Sequence, residues 1–156
     1  MTDNELIELA KTALKNSYSP YSRFKVGAAL LCQDGSVFLG CNIENASFGA
    51  ANCAERTAFF KAISGGKKQF SKIAVVGTGS GEITEFTPPC GICRQVMAEF
   101  CDDDFEVVLT DGKTIELQRL SCAPSEFSIE VWFQGDGRTE AYGVFRDALR
   151  ASGSDG

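Results

Sequence analysis

Apolar residues recur along the chain with two periods, one helical and one extended, and their succession predicts the order of elements. Over 4–15 (NELIELAKTALK), Leu6, Ile7, Ala10, Ala13 and Leu14 share one helical face, with Asp3 or Asn4 in place to cap it. SYSPYSRF (17–24) holds Pro20 and several hydroxyls and reads as a loop. KVGAALLC (25–32) and SVFLGCN (36–42) are apolar runs joined by Gln33-Asp34-Gly35, a hairpin signal. A polar, small-residue loop follows, and CAERTAFFKAI (53–63) is helical, stopped by Gly65-Gly66. KIAVVGT (72–78) is a buried strand, CGICRQVMAEFC (90–101) a helix after Pro88-Pro89, and FEVVLTD (105–111) another strand. Helices alternating with strands in this way predict an α/β fold, a single mixed sheet between helices on both faces. Further on, SEFSIEVWF (125–133) reads as a strand and TEAYGVFRDALR (139–150) as a helix despite Gly143, while the closing ASGSDG reads as disordered.

Composition narrows the class. A chain of 156 residues, 44% hydrophobic and 23% charged, has enough material for one core without needing disulfides or a metal to fold. No apolar run approaches the ~20 residues of a membrane span, and the first twenty residues carry Asp3, Glu5 and Glu8 rather than a basic flank and an apolar core, so a secretory route is not expected. The expectation is a cytoplasmic protein without a membrane partner. A net charge of -6 argues against a nucleic-acid partner, whose phosphates are bound by Lys and Arg, and suits a neutral small molecule. Seven cysteines cannot all pair within one chain, so some are free thiols or ligands. There is no histidine, so proton transfer near neutral pH falls to a carboxylate, Lys, Cys or Tyr, and any zinc site is built from sulfur and oxygen.

The chemistry concentrates in C-A-E at 53–55 and P-C-G-I-C at 89–93, both at predicted helix starts. Cys90 and Cys93, three apart, present their sulfurs on one side of a first turn. With Cys53 they make three protein ligands and leave a fourth position for water, the arrangement of a catalytic rather than a structural zinc. Glu55 diverges from Cys53 on the helix and is placed to lean over that position as a proton carrier, a pattern described for zinc deaminases with three cysteines. Three thiolates on Zn²⁺ leave a net charge of -1, which opposes ionisation of water. Two helix N-termini, each carrying roughly half a positive charge, offset it. Arg56 and Arg94 are placed to donate to the sulfurs as outer partners. One CxxC alone would more often be a structural half-site; the combination of both motifs at helix starts favours catalysis.

With these residues in place, the chain resembles the small homotetrameric, zinc-dependent cytidine deaminases. The likeness runs from about residue 5 to about residue 118. It is carried by Y-S-P-Y-S-R-F-K-V-G-A-A-L (18–30), G-C-N-I-E-N-A (40–46), N-C-A-E-R-T-A (52–58), P-C-G-I-C-R-Q-V (89–96) and V-V-L-T (107–110). The resemblance implies a sheet of about five strands and one Zn²⁺ per subunit. It implies hydrolytic deamination of cytidine and 2'-deoxycytidine in pyrimidine salvage, in a homotetramer with sites near subunit interfaces. It also implies that Asn42 and Glu44 hydrogen-bond the ribose hydroxyls and that Phe24 packs on the pyrimidine. The backbone of Ala54 and the carbonyls around Pro88-Pro89 would read the base edge. Phe48 stands where relatives carry an aromatic reaching a neighbour's site, here without a Tyr hydroxyl. Cys32, Cys41, Cys101 and Cys122 match no ligand position.

One departure is plain: relatives end soon after the last strand with T-x-x-E-L-L-P-x-x-F, whereas here T-I-E-L-Q-R-L-S-C-A-P-S-E-F (114–127) is followed by further residues. Phe127 is the nearest counterpart of the closing Phe. The expected division is a catalytic domain over 1–118 and a divergent, partly disordered C-terminal segment over 119–156. Alternative functions are deamination of a related aminopyrimidine nucleoside such as blasticidin S, and a non-catalytic zinc-stapled binding module. Polynucleotide editing is disfavoured by the charge and by the lack of a basic segment tracking a strand.

Overall fold

The computed structural model describes residues 1–120. The predicted strand over 125–133, the predicted helix over 139–150, ASGSDG, Cys122, Phe127 and most of the 119–156 segment lie outside the described residues.

Within 1–120, α1 (Asp3–Leu14) leads into β1 (Lys25–Cys32), β2 (Val37–Cys41), a 3-10 turn Phe48–Ala50, α2 (Ala54–Ser64), β3 (Phe70–Thr78), α3 (Gly91–Phe100), β4 (Glu106–Thr110) and β5 (Ile115–Arg119). The strands form one five-stranded sheet in the order β2-β1-β3-β4-β5. β3 and β4 are parallel, joined by the crossover through α3, and every other pair is antiparallel. The mixed sheet with helices on both faces is the expected architecture.

The two-residue period of the strands sorts the core. Ala29, Leu31, Ala74, Val76 and Val108 point to one face and are covered by Leu6, Ile7 and Ala10 of α1. Ala28, Leu30, Ile73, Val75, Val107 and Leu109 point to the other, under Ala54, Ala58, Phe59 and Ala62 of α2 and Cys93 and Met97 of α3. Because β1, β3 and β4 are buried on both faces, they read as continuous apolar runs rather than alternating ones.

Two details differ from the sequence reading. The cap of α1 is Thr2, not Asp3 or Asn4: Thr2 Oγ1 accepts from Glu5 N at 3.2 Å and Thr2 N donates to Glu5 at 2.7 Å, a reciprocal capping box. Asp3 instead accepts from Lys72 Nζ at 2.7 Å, tying the helix start to β3. The other difference is β5, which the hydrophobic pattern did not single out. It is an edge strand with Ile115 and Leu117 exposed, paired to β4 through an Asp111-Gly112 turn where Gly112 has φ 87°.

β2 packs against the start of α2 because Gly40 has no side chain. A Cβ there would lie 2.2 Å from the Ala54 carbonyl and 2.5 Å from Ala58 N. That close approach sets the first turn of α2 against the sheet.

Candidate metal centre and cleft

Cys53 and Cys90 are the N-caps of α2 and α3, with extended backbones (φ -79°, ψ 157° and φ -69°, ψ 168°), and neither uses its side chain to cap the helix. An N-cap side chain normally satisfies one of the orphan N–H groups of the first turn. Here both sulfurs are turned toward each other and toward Cys93, one turn into α3. Cys53 Sγ lies 3.8 Å from Cys90 Sγ, and Cys90 Sγ lies 3.5 Å from Cys93 Sγ. All three sulfurs fall within 4.8 Å of one another. Thiolates at a Zn–S distance of ~2.3 Å in a tetrahedron stand about 3.8 Å apart, so the cluster fits one zinc ion. None of the three is in a disulfide.

The thiols are graded from sealed to open: Cys93 is buried, Cys53 half-buried and Cys90 exposed. Packed this closely they do not ionise alike. Contact with Cys53 and then Cys93 lowers the Cys90 thiol, whereas contact with Cys53 and Cys90 raises Cys93. Arg56 Nη2 donates to Cys53 Sγ at 3.5 Å, as expected of an outer partner. Arg94 does not turn to a sulfur: its Nε donates to the Pro89 carbonyl at 3.2 Å and its Nη2 to Gln118 Oε1 at 3.0 Å. The backbone carbonyl just ahead of Cys90, which the sequence pattern does not reveal as a target, captures the guanidinium.

Glu55, in the first turn of α2, is 5% exposed, and burial pushes its carboxyl up to about 7. It opens on a cleft of about 340 Å³ shared with Cys53, Cys90 and Arg56, within the size range of small-molecule sites. Asn42, Glu44, Phe48 and Ala54 line the same cleft. Sequence reasoning missed Val26, Ile43, Asn52 and Thr87, which also line it. The Thr87 hydroxyl is buried and has no hydrogen-bond partner among the described residues. Its place three residues before Cys90 was the only signal available.

Asn42 and Glu44 first of all clasp the 17–24 loop. Asn42 Oδ1 accepts from Ser17 Oγ at 2.5 Å and Val26 N at 2.8 Å, and its amide donates to the Phe24 carbonyl at 2.8 Å. Glu44 Oε2 accepts from Tyr21 N and Ser22 N at 2.9 and 3.2 Å. The Ser22 side chain also engages the Glu44 carboxylate and, with these backbone bonds, holds its carboxyl below the ordinary value. Phe24 is not among the residues that line the cleft, but its ring lies over β3 beside the lining residue Thr87: a Cβ on Gly77 would meet the ring at 2.8 Å and would also crowd the Thr87 hydroxyl. Phe48 stands on the rim, 88% exposed. No helix among the described residues is long and apolar enough to cross a membrane.

Comparison with known proteins bears on this site. Residues 1–109 match the family model of the cytidine and deoxycytidylate deaminase zinc-binding region. A cytidine deaminase of Sporosarcina psychrophila is 47% identical over 132 residues, 83% of this chain and 94% of the relative. One from Halalkalibacterium halodurans is 50% identical over 127 residues, 80% and 93% of the two chains. The crystal structure of a cytidine deaminase from Burkholderia pseudomallei superposes with a TM-score of 0.71 at 50% identity, covering 78% of this chain and 94% of that one.

Proposed function

Since the chain belongs to the cytidine and deoxycytidylate deaminase family, we propose that it hydrolyses cytidine and 2'-deoxycytidine to uridine and 2'-deoxyuridine with release of ammonia. The observation that carries this reading is that a buried carboxyl, Glu55, opens on the same cleft as Cys53 and Cys90 of the three-thiol cluster. Cys53, Cys90 and Cys93 would hold one zinc ion, which when bound supplies the polarisation that makes water nucleophilic near neutral pH. Arg56 offsets part of the thiolate charge.

Glu55 is the proton carrier. Its carboxylate accepts a proton from the attacking water and delivers it to N3 of the ring as the C4–O bond forms. It then takes the proton of the new C4 hydroxyl and brings it to the 4-amino group, so that the C4–N bond breaks, ammonia leaves and the C4 carbonyl forms. Burial suits this work, because a carboxyl held near 7 both takes and returns a proton at working pH. Asn42 and Glu44, both in the cleft lining, meet the ribose hydroxyls. The backbone of Ala54 faces the base.

Loss of ultraviolet absorbance in the cytosine band on adding cytidine tests the reaction, with blasticidin S as the competing substrate. Glu55→Gln is expected to keep its zinc while turnover falls by a factor of about 10² to 10⁴, the usual worth of a positioned proton carrier. Near-normal turnover in that variant would remove Glu55 from the role, and a flat trace from the wild type would leave a binding module.

We extend the reading to a homotetramer with sites near its interfaces. An aromatic ring as exposed as Phe48, on the rim of the cleft, is the supporting observation. Sedimentation of the purified protein as a monomer would end it.

A further inference from the structure

The metal ligands of α3 are steadied from an unexpected direction. Arg94 grips two successive carbonyls ahead of its own helix: its backbone N–H donates to Cys90 O at 3.0 Å, and its side-chain Nε donates to Pro89 O at 3.2 Å. Its Nη2 donates to Gln118 Oε1 at 3.0 Å, on the edge strand β5, while Nη1 is buried without a partner among the described residues. Gln118 is itself oriented, its Nε2 donating to Glu116 Oε1 at 2.7 Å. Across the sheet, Gln118 is registered against Val107 of β4, in the core beneath α3.

We infer that Gln118 is a positioning residue for the metal centre, acting through Arg94 and the Pro89 carbonyl to fix the turn that presents Cys90. This rests on the zinc reading given above. The chemistry favours a fork at this point. A planar guanidinium holds two acceptors at a set angle, so locking one side of it on β5 aims the other at Pro89. Without Gln118 the Nη2 side of the fork has no acceptor to hold it, and the aim of Nε at Pro89 is no longer set. Cys90, the most exposed of the three thiols, then loses the restraint that keeps its sulfur at bonding distance from the other two. Outer partners of this kind are commonly worth 10- to 100-fold in metal affinity.

Zinc affinity of the full-length protein, measured by competition with a chromogenic chelator, tests this without reference to turnover. Wild-type protein that binds no zinc would sink the metal reading itself; the ratios between variants test the inference. Gln118→Leu, apolar and of similar size, is expected to bind zinc about tenfold more weakly or worse. Gln118→Glu, made together with Glu116→Gln so that an amide still bridges the two side chains, keeps an oxygen for Arg94 and is expected to stay within about threefold of the wild type. If Gln118 merely packed β5 onto the sheet, the order would reverse, with Leu tolerated and Glu harmful. Wild-type affinity in Gln118→Leu, or equal losses in both variants, overturns the inference. Should Gln118→Leu fail to fold, Arg94→Lys keeps the charge but loses the fork. Tenfold weaker zinc binding there supports the strap, and unchanged binding rejects it.

Discussion

The two faces of the sheet carry helices that begin in opposite ways. On one face α1 starts with its orphan N–H groups closed by its own side chains, Thr2 and Glu5 in a reciprocal box. On the other, α2 and α3 start at cysteines whose side chains cap nothing. A helix start that is not closed locally gives up roughly 1 kcal/mol of capping and keeps its positive end available. At α1 that end is spent on stability. At α2 and α3 it faces sulfur, where it favours the thiolate form that a metal requires. The difference marks one face as scaffold and the other as site, before any ligand is considered.

A matched pair of substitutions tests that division. Gly27 of β1 and Gly40 of β2 sit under different helices with the same clearance: a Cβ on Gly27 would lie 2.2 Å from the Ala10 carbonyl of α1, and one on Gly40 would lie 2.2 Å from the Ala54 carbonyl of α2. Each Gly→Ala change forces helix and sheet apart and is expected to cost about 1–3 kcal/mol, read as a shift in the urea midpoint. Only Gly40→Ala displaces the turn that starts at Cys53, so it alone is expected to weaken zinc binding, by about tenfold. Equal loss of zinc in Gly27→Ala would show that the sheet transmits strain between its faces and that the division is false.

The same contrast explains what the sequence disclosed. The thiol cluster was legible because both motifs stand at helix starts, where local geometry alone decides which way a side chain leaves. α1, β1, β3 and β4 were legible because burial on one or both faces imposes a period. β5 was not: Ile115 and Leu117 are exposed on an edge, so burial leaves no pattern in its composition. Arg94 was misread for a related reason. Its neighbour in sequence is Cys93, but its partner Gln118 comes from a strand 24 residues away, and no local rule anticipates a tertiary partner. Asn42 and Glu44 were assigned to a ligand by likeness alone. The structure gives most of their hydrogen bonds to the loop before β1.

The smallest expected effect concerns the closed helix end. Thr2→Ala removes the acceptor for Glu5 N and is expected to cost about 1 kcal/mol, with zinc affinity unchanged. It should also alter the acid limb of the stability curve. The hydrogen bond from Thr2 N, followed by that from its hydroxyl, holds the Glu5 carboxyl below its ordinary value of 4.5. A carboxyl whose folded value lies below its unfolded one contributes fully above the unfolded value and loses that contribution as the pH falls through the folded one. Glu5 therefore helps at neutral pH and ceases to help in acid. Thr2→Ala removes only the hydroxyl part of this, since the backbone N–H of residue 2 remains. The urea midpoints of wild type and variant should accordingly differ more at pH 6 than at pH 3. A gap that stays constant over that range would mean that the hydroxyl caps α1 without help from the Glu5 charge.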